Sequence, residues 1–390
     1  MELAGAPGTW TTGLLADFGA EVIKVERFPT NNLDFSIMGI LPVKSPEQQR
    51  KRLAFDSMNR NKKSIALNLK VTEARDIFLR LARKSDVVLE GYRPGVAKRL
   101  GVDYETLKEI NPRIIYCALT GYGQTGPYKD LPGHDINYIG IAGVLDLTGK
   151  PDDAPVLPGT QVGDWGGGAS MATIGILLSL LARHKTRQGQ FIDISMTDGV
   201  ISWLGSYARD FFAEGVIPKR GETVPTGGFP YNAVYQTKDG KYISVGCWEP
   251  WLYENLCSAL DRMDLIPLQH APEEKRKEIF STFQAIFSQK TAEEWFTLFK
   301  DSNVPVAPVH SFEEVFNDPQ VTERGMIVQL DHPEFGAVKQ IGTPIKVSET
   351  PGEIRSFAPR YGEHTEEILK SLLGCSQDEI IQLREKQAIN

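Results

Sequence analysis

Four short apolar runs, at residues 21–26, 64–69, 86–90 and 113–119, restrict the first third of this chain to very few folds. Helical patterns at 9–18 and 72–84 separate them, the second containing Ile77, Leu79 and Leu81. Strands alternating with amphipathic helices at this spacing are βαβ units, which build a mainly parallel sheet covered by helices. A longer apolar stretch, 169–182, is interrupted by Ser170, Thr173 and Ser179 and stops at Arg183. It is too short for the roughly 20 residues that cross a bilayer and reads as a buried helix within 166–183, followed by a strand at 190–195.

After about residue 211 the texture changes. A Gly/Pro-rich stretch, 215–230, precedes two strand patterns, 231–237 and 241–246, joined by Lys238-Asp239-Gly240, an Asp-Gly turn signal. Helices at 250–260, 272–287 and 291–300 follow, then short strands and a final helix at 377–385. The expected organisation is a large α/β domain over 1–214, a smaller α+β domain over 225–325, and a return of 326–390 to the large one. Met1-Glu2-Leu3 resembles the tail of a first strand whose beginning is absent.

Composition narrows the function. At 390 residues, 41% apolar and 24% charged, the chain is long enough and apolar enough to bury real cores. A net charge of −7 argues against a nucleic-acid partner, so an anionic ligand must be met by a local basic patch. Four cysteines, Cys117, Cys247, Cys257 and Cys375, are too sparse for a disulfide framework and too scattered for zinc. Reduced thiols and the lack of a basic-then-apolar leader point to the cytoplasm, with no membrane partner.

Basic residues gather in the first hundred positions: Lys24, Arg27, Arg60, Lys62, Lys63, Arg93, Lys98 and Arg99. Open α/β sheets bind ligands at the carboxyl ends of their strands, which makes a phosphate-bearing ligand plausible there; ordinary solvated surface is the plain alternative. Gly121-Tyr-Gly-Gln-Thr-Gly126 formally matches a dinucleotide fingerprint. Pro127 and Pro132 bracket a loop where the phosphate-holding helix should start, so these glycines line a different ligand.

Three further positions carry chemistry. Gly133-His134-Asp135 precedes a helical pattern, where His134 can cap or act. Asp164 stands before Gly166-Gly167-Gly168, which would let a ligand approach backbone N–H groups, although an N-cap is the simpler role. Glu249 ends a strand just before Pro250, a first-turn proline, and can also be a cap. No nucleophile elbow, Walker loop or H-E-x-x-H motif competes, and the other five histidines lack metal-ligand spacing.

Taken together, the segments resemble the family III CoA-transferases, the CaiB/BaiF group, and within them the α-methylacyl-CoA racemases. The carriers are Leu14-Leu-Ala-Asp-Phe-Gly-Ala-Glu-Val-Ile-Lys-Val-Glu-Arg27, Asn59-Arg-Asn-Lys-Lys-Ser64, Glu90-Gly-Tyr-Arg-Pro-Gly95, Leu119-Thr-Gly-Tyr-Gly-Gln-Thr-Gly-Pro127, Gly133-His-Asp-Ile-Asn-Tyr138, Gly163-Asp-Trp-Gly-Gly-Gly168, Gly189-Gln-Phe-Ile-Asp-Ile-Ser-Met-Thr-Asp-Gly199 and Gly362-Glu-His-Thr365. The resemblance spans nearly the whole chain. It implies a large Rossmann-like parallel-sheet domain, a smaller α+β domain and an intertwined homodimer with acyl-CoA as the substrate. No metal or redox cofactor is implied.

The resemblance also assigns roles. Arg27 and Arg93 fall where the family meets the CoA phosphates, and Tyr122, Gly123, Lys129 and Asp135 are carried over as further CoA contacts. Transferases use the acid at the position of Asp164 as a nucleophile, forming an anhydride and then an aspartyl thioester. Racemases combine the histidine, the acid and a glutamate before proline, and His134, Asp164 and Glu249 supply all three. The implied reaction is 1,1-proton transfer: His134, oriented by Glu249, on one face of the α-carbon and Asp164 on the other, exchanging acid and base roles. Backbone N–H groups of Trp165 and Gly166, within the glycine run that includes Gly167, would hold the enolate oxygen, and Gly227 and Gly228 belong to a second glycine loop, one that in transferases covers the intermediate. A CoA-transferase acting through Asp164, and a non-catalytic acyl-CoA binder, are the alternatives. Two departures stand out: a long segment, 28–57, before Asn59, and the bulk of Phe229 in the second glycine loop.

Overall fold

The computed structural model describes residues 1–28 and 45–390, so most of the unusual 28–57 segment lies outside the described residues. Its described end is a helix, Pro46–Ala54, opened by the Ser45 hydroxyl accepting from the Gln48 amide at 3.1 Å.

The chain divides into two compact units, the first formed by 1–142, 159–203 and 319–390, the second by 143–158 and 204–318. The expected boundaries at 214 and 326 therefore move. Residues 204–214 join the second unit through the Tyr207 hydroxyl, 3.0 Å from Thr223 Oγ1. Residues 143–158 join it because Arg220 meets Asp146 at 3.4 Å and Gly221 packs directly on the Pro151 ring, where a Cβ would sit 2.4 Å from Cδ.

The first unit is built on a parallel six-stranded sheet. Its strands are β1 (Glu2–Leu3), β2 (Val22–Arg27), β3 (Lys62–Leu67), β4 (Val87–Glu90), β5 (Ile115–Thr120) and β6 (Phe191–Ser195), in the order β3-β2-β1-β4-β5-β6. β1 is short but central, pairing with both β2 and β4. The strand order reverses between β1 and β4, the place where sheets of this type open a ligand crevice at the carboxyl ends. Ile65, Leu67, Ile77, Phe78, Leu81, Val88 and Ile114 fill one buried cluster, closed by the chain end, whose Ile389 bridges to Leu67.

Of the early basic residues, three sit at the amino end of β3 or just before it and are spent on the protein itself. Arg60 makes a two-pronged contact to Asp17 at 3.0 and 2.6 Å, Lys62 meets Glu2 at 2.9 Å, and Lys63 reaches Glu367 at 2.9 Å. Only Arg27 and Arg93, with Lys98 and Arg99 beyond, stand at the carboxyl side.

The apolar stretch expected to be a buried helix is longer and barer than its sequence suggested. It runs over Val162–Thr186, 25 residues, and by length and composition alone is the one helix among the described residues that could cross a membrane. Small residues, Ala172, Thr173 and Ser179, face the sheet with Ile176, while Leu178 and Leu181 are turned outward, 60% and 65% exposed. Close approach to the sheet selects the small side chains, so the large ones are left on the open face.

The second unit pairs β7 (Asn232–Gln236), β8 (Tyr242–Gly246) and β9 (Val306–Pro308) in an antiparallel sheet, with the expected turn at Gly240, whose φ is +76°. Helices Pro250–Ala259, Glu273–Phe287 and Ala292–Phe299 cover it around Tyr235, Phe283, Phe287, Trp295 and Phe299.

Candidate active site

The first unit brings the predicted acid and histidine together through backbone geometry. Residues Val162–Ser170 form a π-type helix, a wide turn that recurs at functional sites, and Asp164 is its third residue. Asp164 is 9% exposed and is not the N-cap. Its amide donates to Asp135 Oδ1 at 2.9 Å, and its Oδ2 accepts from Gln161 Nε2 at 3.0 Å. Gly163 leaves room for this bond, since a Cβ there would crowd the same Asp135 oxygen at 3.1 Å.

Burial and then the Asp135 charge push the Asp164 carboxyl up to about 6, the positive end of His134 pulling the other way. That shift puts a carboxyl within reach of both protonation states near neutral pH. His134 is exposed at the start of helix Asp135–Ile141, its amide donating to Asn137 Oδ1 at 3.0 Å.

Of the candidate CoA contacts, Tyr122 lies edge-on to Tyr138, ring centres 5.1 Å apart, and the Tyr138 hydroxyl donates to the Gly133 carbonyl. Gly121 and Gly133 are glycine because the Tyr138 ring occupies the Cβ space of both. Gly123, at φ +86°, donates its amide to Thr120 Oγ1 at 3.0 Å, and Lys129 is exposed beyond the turn. Gln124's amide lies 3.1 and 3.0 Å from the Asp193 oxygens, fixing the loop from below. Arg93 follows β4 at the point of strand reversal, and the Arg27 guanidinium lies over the Tyr92 ring, 5.4 Å from its centre. Glu90 shapes this corner: its carboxyl accepts from the Tyr92 amide at 2.6 Å and is raised to about 7 by burial against that hydrogen bond.

One residue gains a further role and one expectation changes. Asp135, carried over as a CoA contact, also accepts the Asp164 amide at a carboxylate oxygen, where its charge biases the acid's titration. The Trp165 amide, expected to hold an enolate oxygen, donates to the Gln161 carbonyl at 3.0 Å, because a helical turn uses its own N–H groups. Gly166 is covered by the Trp203 indole, whose ring would be 1.9 Å from a Cβ. Gly167 packs on the Met196 carbonyl, 2.4 Å from a Cβ, so this glycine run also serves packing.

In the second unit Glu249 opens helix Pro250–Ala259, exposed and with no capping hydrogen bond from its side chain. The loop at Gly227 and Gly228 is rigidly wrapped. Gly227 has φ +86°, and a Cβ on Gly228 would lie 2.3 Å from the Glu222 carbonyl carbon. Arg276 donates to the Gly228 carbonyl at 3.0 Å and lies over the Phe229 ring, 4.2 Å from its centre. Phe229 thus serves as a platform for an arginine. The sequence patterns singled out neither Gln161 and Trp203 nor Asn232 and Arg276, whose roles depend on contacts that no local motif encodes.

The parallel sheet thus sets an acid on a glycine-rich turn near a histidine, with arginines at the carboxyl ends of its strands. Residues 4–365 match the model of CoA-transferase family III, and the chain belongs to that family. It is 36% identical to the alpha-methylacyl-CoA racemase of Homo sapiens, covering 100% of this chain and 96% of the relative. It is also 34% identical to the succinyl-CoA:glutarate CoA-transferase of Homo sapiens, over 94% of this chain and 83% of that one. The crystal structure of a CaiB/BaiF family protein from Brucella suis superposes with a TM-score of 0.80 at 29% identity, covering 95% of this chain and 97% of the other.

Proposed function

We propose that this family III enzyme epimerises 2-methylacyl-CoA thioesters by moving the α-proton through an enolate. The observation that carries the reading is the Asp164 carboxyl, buried beside the like charge of Asp135 and raised to about 6. A group that must give and take a proton in alternate directions works best when its pKa lies near the working pH. His134, whose charge acts on the same carboxyl, supplies the second acid/base, and Glu249 is assigned to the same reaction.

One enantiomer of a 2-methylacyl-CoA incubated in D₂O should acquire deuterium at the α-carbon; no exchange across several acyl chains would sink the reading. His134→Ala is expected to lower that exchange by about 10²–10⁴-fold. The transferase reading, favoured by the identity to the succinyl-CoA:glutarate enzyme, predicts instead a CoA mass adduct on Asp164 that survives the His134 substitution. Arg27→Ala and Arg93→Ala should each raise KM by about tenfold or more with kcat little changed, since each removes a charge-assisted contact to phosphate. An unchanged KM in both would remove these arginines from the CoA site. The open face of the helix carrying Leu178 and Leu181 supports a homodimer, because an apolar stripe of this kind normally seeks cover.

A further inference from the structure

Asn232, the first residue of β7, makes two side-chain hydrogen bonds in opposite directions. Its Nδ2 donates to the Val224 carbonyl at 2.6 Å, at the base of the glycine loop. Its Oδ1 accepts from Trp248 Nε1 at 2.6 Å, one residue before Glu249. The Val224 carbonyl also receives the Gly227 amide at 3.1 Å, so Asn232 grips the turn that presents Gly227 and Gly228. On the other side the Trp248 carbonyl accepts from Gln269 Nε2 at 2.9 Å, and the Cys247 amide donates to the Tyr231 carbonyl at 2.7 Å, which anchors the strand end leading to Glu249. Both ends of the asparagine therefore meet segments that are themselves tied down.

We propose that Asn232 is a positioning residue that joins the Gly227-Gly228 loop to the Glu249 corner, so that the two are presented to the acyl-CoA as one preset piece. This rests on the function proposed above for Glu249 and the loop. The asparagine touches no reacting atom. Its value is geometric: errors of about 1 Å in a reacting group can cost on the order of 10²-fold in rate.

The two bonds can be cut separately. Asn232→Asp keeps an oxygen for Trp248 and loses the N–H given to Val224, whereas Trp248→Phe keeps the Val224 bond and loses the indole donor. Hydrogen–deuterium exchange of the unliganded full chain, resolved by peptide, reads the coupling without reference to any reaction. Asn232→Asp should speed amide exchange at residues 246–249 as well as 222–229, and Trp248→Phe should speed 222–229 as well as its own segment. Loosening confined to the segment that lost its bond would overturn the proposal.

With acyl-CoA in D₂O, each variant should lose about tenfold in kcat with KM changed far less, and the double variant should be no worse than either single one. Losses that multiply, or a kcat unmoved in both, would also overturn it. If the wild-type chain shows no α-proton exchange, the epimerase reading fails on its own account. The asparagine's role is then decided by the peptide exchange pattern and by the formation rate of the Asp164–CoA adduct, which the same variants should slow.

Discussion

Asp164→Asn is expected to lower α-proton exchange on acyl-CoA by about 10²–10⁴-fold, with the protein still folded. Asparagine keeps the shape and can still meet Gln161, but it cannot carry the proton. In the direction where Asp164 is the base, kcat/KM of the wild-type enzyme should rise as pH passes upward through about 6, the carboxyl having to be ionised. Asp135→Asn sharpens the test. It leaves an oxygen for the Asp164 amide while removing the charge that helps hold the carboxyl up, so the rise should move to lower pH. The sign for stability is the opposite of the usual carboxylate case. A carboxyl raised above its unfolded value near 3.9 favours folding at low pH, and that contribution is lost as pH climbs through about 6. Asp164→Asn should therefore melt at or above the wild-type temperature at pH 7. A variant keeping more than a tenth of the exchange rate, or a pH profile unmoved by Asp135→Asn, would reject the assignment.

Lys62→Met is expected to destabilise the first unit by about 3–5 kcal/mol, the largest effect on folding foreseen for a single side chain. The side chains of Glu2, on the central strand β1, and Lys62, at the start of the edge strand β3, are fully buried and 2.9 Å apart, and Glu2 also accepts from Thr9 at 2.7 Å and Thr12 at 2.6 Å. Burial acts to raise the Glu2 carboxyl, but Lys62, then Lys24 and the two hydroxyls, bring it down to about 2. The native pair thus contributes stability above the unfolded carboxyl value near 4.3, lost as pH falls toward 2. Without Lys62, burial dominates and the carboxyl is pushed up, so the variant should gain stability relative to wild type on going from pH 8 to pH 5. Glu2→Gln combined with Lys62→Met should recover most of the loss, because no unpaired charge remains. Urea unfolding at the two pH values checks both statements, and a Lys62→Met protein within about 1 kcal/mol of wild type would refute them.

The sheet was legible because its strands are apolar runs at regular intervals: β2 through β6 each fall within a residue or two of the pattern. The final helix, Gln377–Glu385, falls where its pattern placed it, with Ser376 and Glu379 forming a reciprocal cap. Side-chain identity marked His134, Asp164 and Glu249, since few residues perform that chemistry. What escaped was whatever depends on distant contacts. Nothing in 143–158 announces that Arg220 will claim Asp146. Hydropathy cannot tell which side of an apolar helix stays open, so the exposure of Leu178 and Leu181 is visible only in the fold. Asp135 carried a ligand role by motif, and only the fold reveals that its carboxylate faces a neighbouring amide.

The wide turn at Val162–Ser170 has a consequence for how this acid came to point where it does. Successive residues of an ordinary α-helix are separated by about 100° around the axis, so the direction of a side chain is a matter of phase. Bonding to the fifth residue instead of the fourth lets extra chain be accommodated without disturbing Met171–Thr186, and it sets the heading of Asp164 independently of the helix that follows. Removing a single glycine from the run at 166–168 would reset that phase, swinging the carboxyl by about a quarter of a revolution while composition, charge and fold stayed almost the same. The aim of the Asp164 carboxyl is thus stored in a residue count.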